Sequence, residues 1–237
     1  MKNKTEPIVY YNHISSKYDD LLNTNPLNTK IRDEVKKYFL KNVHGKYVLD
    51  FGGGTGKDLE WLTNNSFKVY FCEPSKQMRE EAIKNFQKHQ FLDRTIFFND
   101  ENSDYVKWTE NDNPFMQNID AVLSNFAVLN SIKNLETLSS KFALITHPGS
   151  QLIFSVLDTG IKNILSYNLP TVLMLYLSSN GFSTKVKFKD HEMVVYFHTK
   201  MKMIRIFKKY FNYVNSFQID KSSFRLIHFT RNKQEVV

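Results

Sequence analysis

The chain has 237 residues and a formal charge of +8, and its 41% hydrophobic and 24% charged residues suit a single folded domain and exclude a disordered one. No stretch approaches the roughly 18 consecutive apolar residues of a membrane span, and the single cysteine, Cys72, excludes an internal disulfide or a multi-cysteine metal site. Met1–Pro7 lacks the apolar core of a signal peptide, so a reducing cytoplasm is the expected location.

Along the chain, Leu27, Ile31, Val35, Phe39 and Leu40 recur at helical spacing between residues 24 and 42, behind a segment holding Tyr10, Tyr11 and Tyr18. His44-Gly45 punctuates, and Tyr47–Phe51 reads as a short buried strand that runs directly into glycines. Residues 57–65 follow as a helix. The pattern then repeats, with Lys68–Cys72 as a strand and Pro74-Ser75 opening a helix to about Lys88. Thr95–Phe98 is a third strand, Ile119–Ser124 a fourth, 133–146 a helix and Gln151–Leu157 a fifth strand. Strands alternating with helices predict a parallel sheet covered on both faces.

Beyond Asp158 the alternation stops. Ile161–Asn180 is an apolar helical stretch interrupted by Pro170, and it reads as part of an inserted cap at 159–198. Its run Leu169–Leu177 suits core packing, the wall of an apolar pocket or a dimer face. Val186–Phe188 and Met193–Phe197 form a hairpin, 199–210 a basic helix, and 212–219 and 223–229 two last strands. From Lys185 onward there are 12 basic and 4 acidic residues, whereas residues 1–184 hold 20 of each. The excess suits either an anionic partner or an ordinary solvated face.

Four of the eight glycines fall at Gly52, Gly53, Gly54 and Gly56. Such clustering marks a turn that needs positive φ or a close approach to something bound. A phosphate-binding P-loop is excluded, because Phe51 stands five residues before Gly56 and Asp58 follows Lys57. The dinucleotide pattern G-x-G-x-x-G finds Lys57 in place of its third glycine. What remains is Asp50-Phe51-Gly52-Gly53-Gly54-Thr55-Gly56, with Glu73 ending the next strand roughly 20 residues on, where a carboxylate accepts ribose hydroxyls. Asp50 at the strand end repels pyrophosphate and favours an ammonium or sulfonium group. The turn therefore suits a nucleoside without phosphates.

With these features the sequence resembles the class I S-adenosylmethionine-dependent methyltransferases of the small-molecule type. Val48–Asp58 looks like the family's first motif, Glu73–Met78 its second, Asn99-Asp100-Glu101 the segment after the third strand, and Ser124-Asn125-Phe126-Ala127 the end of the fourth. The resemblance implies an α/β fold: a doubly wound, mostly parallel seven-stranded, Rossmann-like sheet in one domain over 1–237, with an N-terminal lid and helix at 1–42. It further implies S-adenosylmethionine as cofactor. Gly52, Gly54 and Gly56 would pass beneath it, Asp50 would approach its amino acid end, Glu73 its ribose, Asp100 its adenine and Asn125 its methionine moiety. Tyr11–Asp19 is similar to a segment that folds over the cofactor, which would bring Tyr11 and Tyr18 onto it; the family usually has Asp where Asn12 stands and Ala where Ser15 stands.

The implied reaction is methyl transfer by in-line displacement, governed mainly by positioning. A hydroxyl acceptor would need a base, for which His13, Tyr11 and Asn130 are the candidates; an amine would not. The tetrapeptide of nucleic-acid amino methyltransferases is missing after the fourth strand, which favours a small-molecule substrate. RNA methylation through the basic quarter, or a catalytically inactive cofactor-binding subunit, is the alternative. His191 and His198 lack metal-ligand spacing, and no metal is expected.

Overall fold

The computed structural model describes residues 7–23, 25–87, 89–157, 182–188 and 191–233. Two helices come first, α1 (Pro7–Asn23) and α2 (Pro26–Asn42). Asn25 caps α2 by accepting from the Leu27 amide at 3.0 Å, and Pro26 at the first helical position gives up no hydrogen bond there. Ile31, Val35 and Phe39 turn one face of α2 into the core.

The alternating part then runs β1 (Tyr47–Phe51), α3 (Leu59–Asn64), β2 (Lys68–Cys72), α4 (Lys76–Phe86), β3 (Thr95–Phe97), β4 (Ile119–Ser124), α5 (Leu135–Ile145) and β5 (Thr146–Leu157). A hairpin of β6 (Phe182–Phe188) and β7 (His191–Phe197) is followed by α6 (Lys200–Phe207), β8 (Phe211–Gln218) and β9 (Phe224–Arg231). The main sheet has seven strands in the order β3-β2-β1-β4-β5-β9-β8. β1 to β5 pair in parallel, and β9 is antiparallel to both β5 and β8. The expected doubly wound sheet is thus present, and the alternation of side chains along β1 explains its two covered faces. Leu49 and Phe51 point to a core shared with Phe142 of α5, while Val48 points to a core shared with Val35 and Phe39 of α2.

The structure refines the sequence reading at β5 and at the hairpin. β5 begins at Thr146, so the turn His147-Pro148-Gly149 lies within its span as an irregularity opposite Ile119–Ala121. Gly149 adopts φ +90 there. The hairpin forms its own two-stranded sheet. Its Met193, Val195 and Phe197 pack with Tyr10 and Ile14 of α1 and Met78 of α4, so part of the expected cap supports the N-terminal segment. Ile161–Asn180 lies outside the described residues. Among those described, no helix is long and apolar enough to cross a membrane.

The edge of the sheet where β1 begins is held by one carboxylate. Asp120 accepts from the Lys46 and Tyr47 amides at 2.7 and 2.8 Å and pairs with His147 Nε2 at 2.8 Å. Those bonds hold its pKa below the ordinary value and raise that of His147. Asp120→Ala is expected to cost about 2 kcal/mol, because two amides and a histidine lose their acceptor together. Urea unfolding checks this; a loss under about 0.5 kcal/mol, the range of ordinary surface substitutions, would rule the role out.

Candidate functional site

The carboxyl ends of β1, β2 and β4 meet at the other edge of the sheet, where open α/β sheets place their ligand crevice. β1 ends in the glycine turn, and Gly52, Gly54 and Gly56 all take positive φ, at +74, +58 and +79. Each also serves a different neighbour. A Cβ on Gly52 would come within 2.4 Å of Val128, and one on Gly56 within 3.1 Å of the Ala82 side chain on α4. Above Gly54, among the described residues, only Tyr18 is near, at 3.7 Å, which leaves its upper surface open to a bound molecule.

These elements enclose a cavity of about 760 Å³, counting its open mouth. Asp50, Glu73 and Asp58 supply three buried carboxylates to its wall. Glu73 accepts from the Gly54 amide at 3.0 Å and the Ser75 amide at 2.8 Å, and so ties the β1 turn to the start of α4. Asp58 accepts from Trp61 Nε1 at 2.8 Å and from Asn125 Nδ2 at 3.2 Å, and pairs with Arg32 at 2.6 Å. Arg32 also lies 4.6 Å from the centre of the Phe126 ring. Asp50 is different: it is 1% exposed and, among the described residues, its Oδ2 has no hydrogen-bond partner.

Burial pushes the Asp50 pKa well above the ordinary carboxylate value, Asp58 and Glu73 push it further, and Arg32 opposes them. Burial raises Glu73 to about 7 against its two amide bonds and Arg79. A buried acceptor without a donor is costly in an apolar setting, and a cationic ligand would relieve it. A phosphate would face three carboxylates.

Helix α1 covers this cavity. Tyr11 and Tyr18 line it and meet edge to face at 6.2 Å. Burial raises both phenols, Tyr18 to about 12, so each keeps its proton near neutral pH. Polar ties fix the helix at both ends. Asn12 Oδ1 accepts from Ser75 Oγ at 2.6 Å, a bond that an ionised Asp could accept equally well. Asp19 accepts from Thr55 Oγ1 at 2.5 Å and pairs with Lys57 at 2.9 Å.

The structure thus brings Asp50, Gly52, Gly54, Glu73, Asn125, Tyr11 and Tyr18 to one cavity. Four other candidates lie elsewhere. Gly56 stands behind the turn, where its lack of a side chain admits α4. Asp100 is 75% exposed at its side chain and pairs with Arg79, which also donates to the Glu73 carbonyl at 2.5 Å. His13 is on the exposed side of α1, outside the cavity wall. Asn130, read as a possible base, has both ends of its amide engaged, to the Leu157 amide at 3.0 Å and the Tyr196 carbonyl at 2.7 Å. Arg32 was not among the expected site residues, because only the packing of α2 against the sheet carries it there. Asp58 directly follows the glycine turn, and a carboxylate at a helix start was its one visible signal.

A family model described as a methyltransferase domain matches residues 25–207. The chain belongs to that methyltransferase family. It is 28% identical over 121 residues to an uncharacterized methyltransferase of Geobacillus kaustophilus, a match covering 50% of this chain and 49% of that protein. The chain therefore aligns with about half the length of that relative. Its fold is shared with an S-adenosylmethionine-dependent methyltransferase from Clostridium acetobutylicum, at a TM-score of 0.65 and 14% identity over 94% of this chain and 99% of the other. The CcbJ methyltransferase from Streptomyces caelestis gives a TM-score of 0.69 at 12% identity, covering 97% and 99%. Among the described residues of this methyltransferase, no group of three or more His, Cys, Asp and Glu side chains is arranged to hold a metal ion.

Proposed function

We propose that this methyltransferase uses S-adenosylmethionine to methylate a small-molecule acceptor. The observation that carries the reading is the buried, unpartnered Asp50 Oδ2, set in a wall of three carboxylates above an open glycine turn. That hollow, with its three carboxylates, fits a ligand bearing an ammonium, a sulfonium and ribose hydroxyls, and the fold neighbour from Clostridium acetobutylicum uses S-adenosylmethionine.

In this reading Glu73 accepts the ribose hydroxyls, Gly52 and Gly54 let the backbone approach, and Asp50 and Asn125 flank the amino acid end. Arg32 answers the carboxylate of that end, and Tyr11 and Tyr18 exclude water from above. The bound cofactor supplies a methyl group already activated by its positive sulfur. The protein's share is then to hold the acceptor roughly 3–3.5 Å from that carbon and in line with it. Because Tyr11 and Tyr18 keep their protons, they position and desolvate rather than act as bases.

Part of the basic C-terminal quarter lies away from the cavity, which supports a small acceptor over RNA. Thr230 of β9 pairs with Gln151 near the start of β5, and Arg231 pairs with Phe211, so this end of β9 lies at the sheet edge away from the cavity. Lys208 and Lys209 immediately precede Tyr210, whose carbonyl accepts from Arg231 at 2.9 Å, and they share that edge.

The test is transfer of a labelled methyl group from S-adenosylmethionine into fractionated cell extract, followed by mass identification of the product. Label in a ribonuclease-resistant, low-mass fraction is the expected result. Label lost on ribonuclease treatment would replace the small molecule with RNA. Binding of S-adenosylmethionine with no acceptor in any fraction would favour a non-catalytic subunit, and absence of binding would remove the cofactor assignment.

A further inference from the structure

One wall of the cavity is built by strained backbone. At the end of β4, Phe126 and Ala127 both take positive φ, +53 and +62, a region that costs a side-chain-bearing residue about 1–2 kcal/mol. The turn that follows places Val128 and Ser131 in the cavity wall beside Phe126, with Val128 pressed against Gly52. Strain of this kind persists only where surrounding contacts over-determine it. The contacts are present. Phe126 donates its amide to Ser155 Oγ at 2.7 Å, and Ala127 donates its own to the Ser155 carbonyl at 2.9 Å. Those bonds fix the entry to the turn.

Its far end is fixed by Asn130. This side chain is 1% exposed and does not line the cavity. Its Oδ1 accepts from the Leu157 amide at the end of β5, and its Nδ2 donates to the Tyr196 carbonyl of β7. Its own amide donates to the Ala127 carbonyl at 2.9 Å. Two residues on, the Ile132 carbonyl is bonded to His198 Nε2 at 2.9 Å, just past β7. The turn is therefore clamped between β5 and the hairpin, and the amide of Asn130 is the group that touches both.

We propose that Asn130 is a positioning residue for the methyl acceptor: it sets the Phe126–Ser131 wall against which the acceptor rests, and it couples that wall to the β6–β7 hairpin. This rests on the proposed methyl transfer to a small molecule. A primary amide is the side chain the place demands, because one end must accept from an N–H and the other donate to a carbonyl. A carboxylate keeps the first bond and turns the second into a repulsion.

The test compares wild type, Asn130→Asp and Asn130→Ser. Affinity for S-adenosylhomocysteine is read by calorimetry, and labelled methyl transfer is read against the amount of one accepting extract fraction at saturating S-adenosylmethionine. The expected result is an apparent KM for the fraction raised at least fivefold in Asn130→Asp, with S-adenosylhomocysteine affinity within about twofold of wild type. Asn130→Ser, which keeps a hydroxyl able to serve one partner, is expected to fall between. Should the Asp variant fail to fold, the Ser variant carries the same comparison. An unchanged KM in a folded variant overturns the proposal, as does a raised KM accompanied by a parallel loss of melting temperature and S-adenosylhomocysteine affinity. If wild type itself transfers no label to any fraction, the function proposed above fails, and this assignment falls with it.

Discussion

Glu73→Ala is expected to weaken S-adenosylmethionine binding by about 30- to 1,000-fold, that is by about 2–4 kcal/mol. Two contributions act together. In the proposed mode the carboxylate accepts both ribose hydroxyls, and charge-assisted bonds of this kind contribute about 1.5–3 kcal/mol each. The same side chain holds the Gly54 and Ser75 amides, so its removal frees the glycine turn from the start of α4 as well. Glu73→Gln keeps one acceptor oxygen and should lose less. Isothermal titration with S-adenosylmethionine measures both, and an alanine variant that binds within threefold of wild type removes the ribose assignment.

The second large effect is on pH. With Glu73 near 7 in the empty cavity, and required as a carboxylate in the complex, affinity should rise about tenfold from pH 6 to pH 8. Burial and its two acidic neighbours push the Asp50 pKa up as well, and a cation bound beside it favours the ionised form, so binding should release protons. The binding enthalpy will then vary with the ionisation enthalpy of the buffer. An affinity that is flat across this range, with no buffer dependence, would show that neither carboxyl changes state.

The empty protein should respond in the opposite direction. The Glu73 pKa is raised on folding, from the ordinary 4.5 to about 7, so the folded state holds the proton more tightly than the unfolded chain. Its contribution is complete below pH 4.5 and is lost as pH rises through 7, amounting to about 3 kcal/mol at most. Cofactor reverses this preference, because it stabilises the ionised form. Thermal unfolding at pH 5 and pH 8, with and without S-adenosylhomocysteine, separates the two behaviours, and Glu73→Gln should flatten the pH dependence of the empty protein.

Local features of the sequence were sufficient for the sheet and for the floor of the cavity. An apolar run ending in Asp50-Phe51-Gly52-Gly53-Gly54 specifies a buried strand entering a turn with positive φ, since hydrophobic pattern and glycine conformation are properties of adjacent residues. Glu73 was legible for the same reason, standing one residue past the next strand. Asn130 shows the limit. Its residue type and place after β4 suggested chemistry, yet its amide bridges β5 and β7, which no spacing along the chain reveals. Arg32 reaches Asp58 only because α2 packs across the sheet, and Asp100 turns to Arg79 rather than to the cavity. Element type and period are written in neighbouring residues; the direction in which a polar side chain points depends on partners dozens of positions away. Thus sequence alone determined the family, the sheet and the glycine turn. Only the tertiary structure decided which carboxylates share the cavity, which of them lacks a partner, and which polar residues brace its walls.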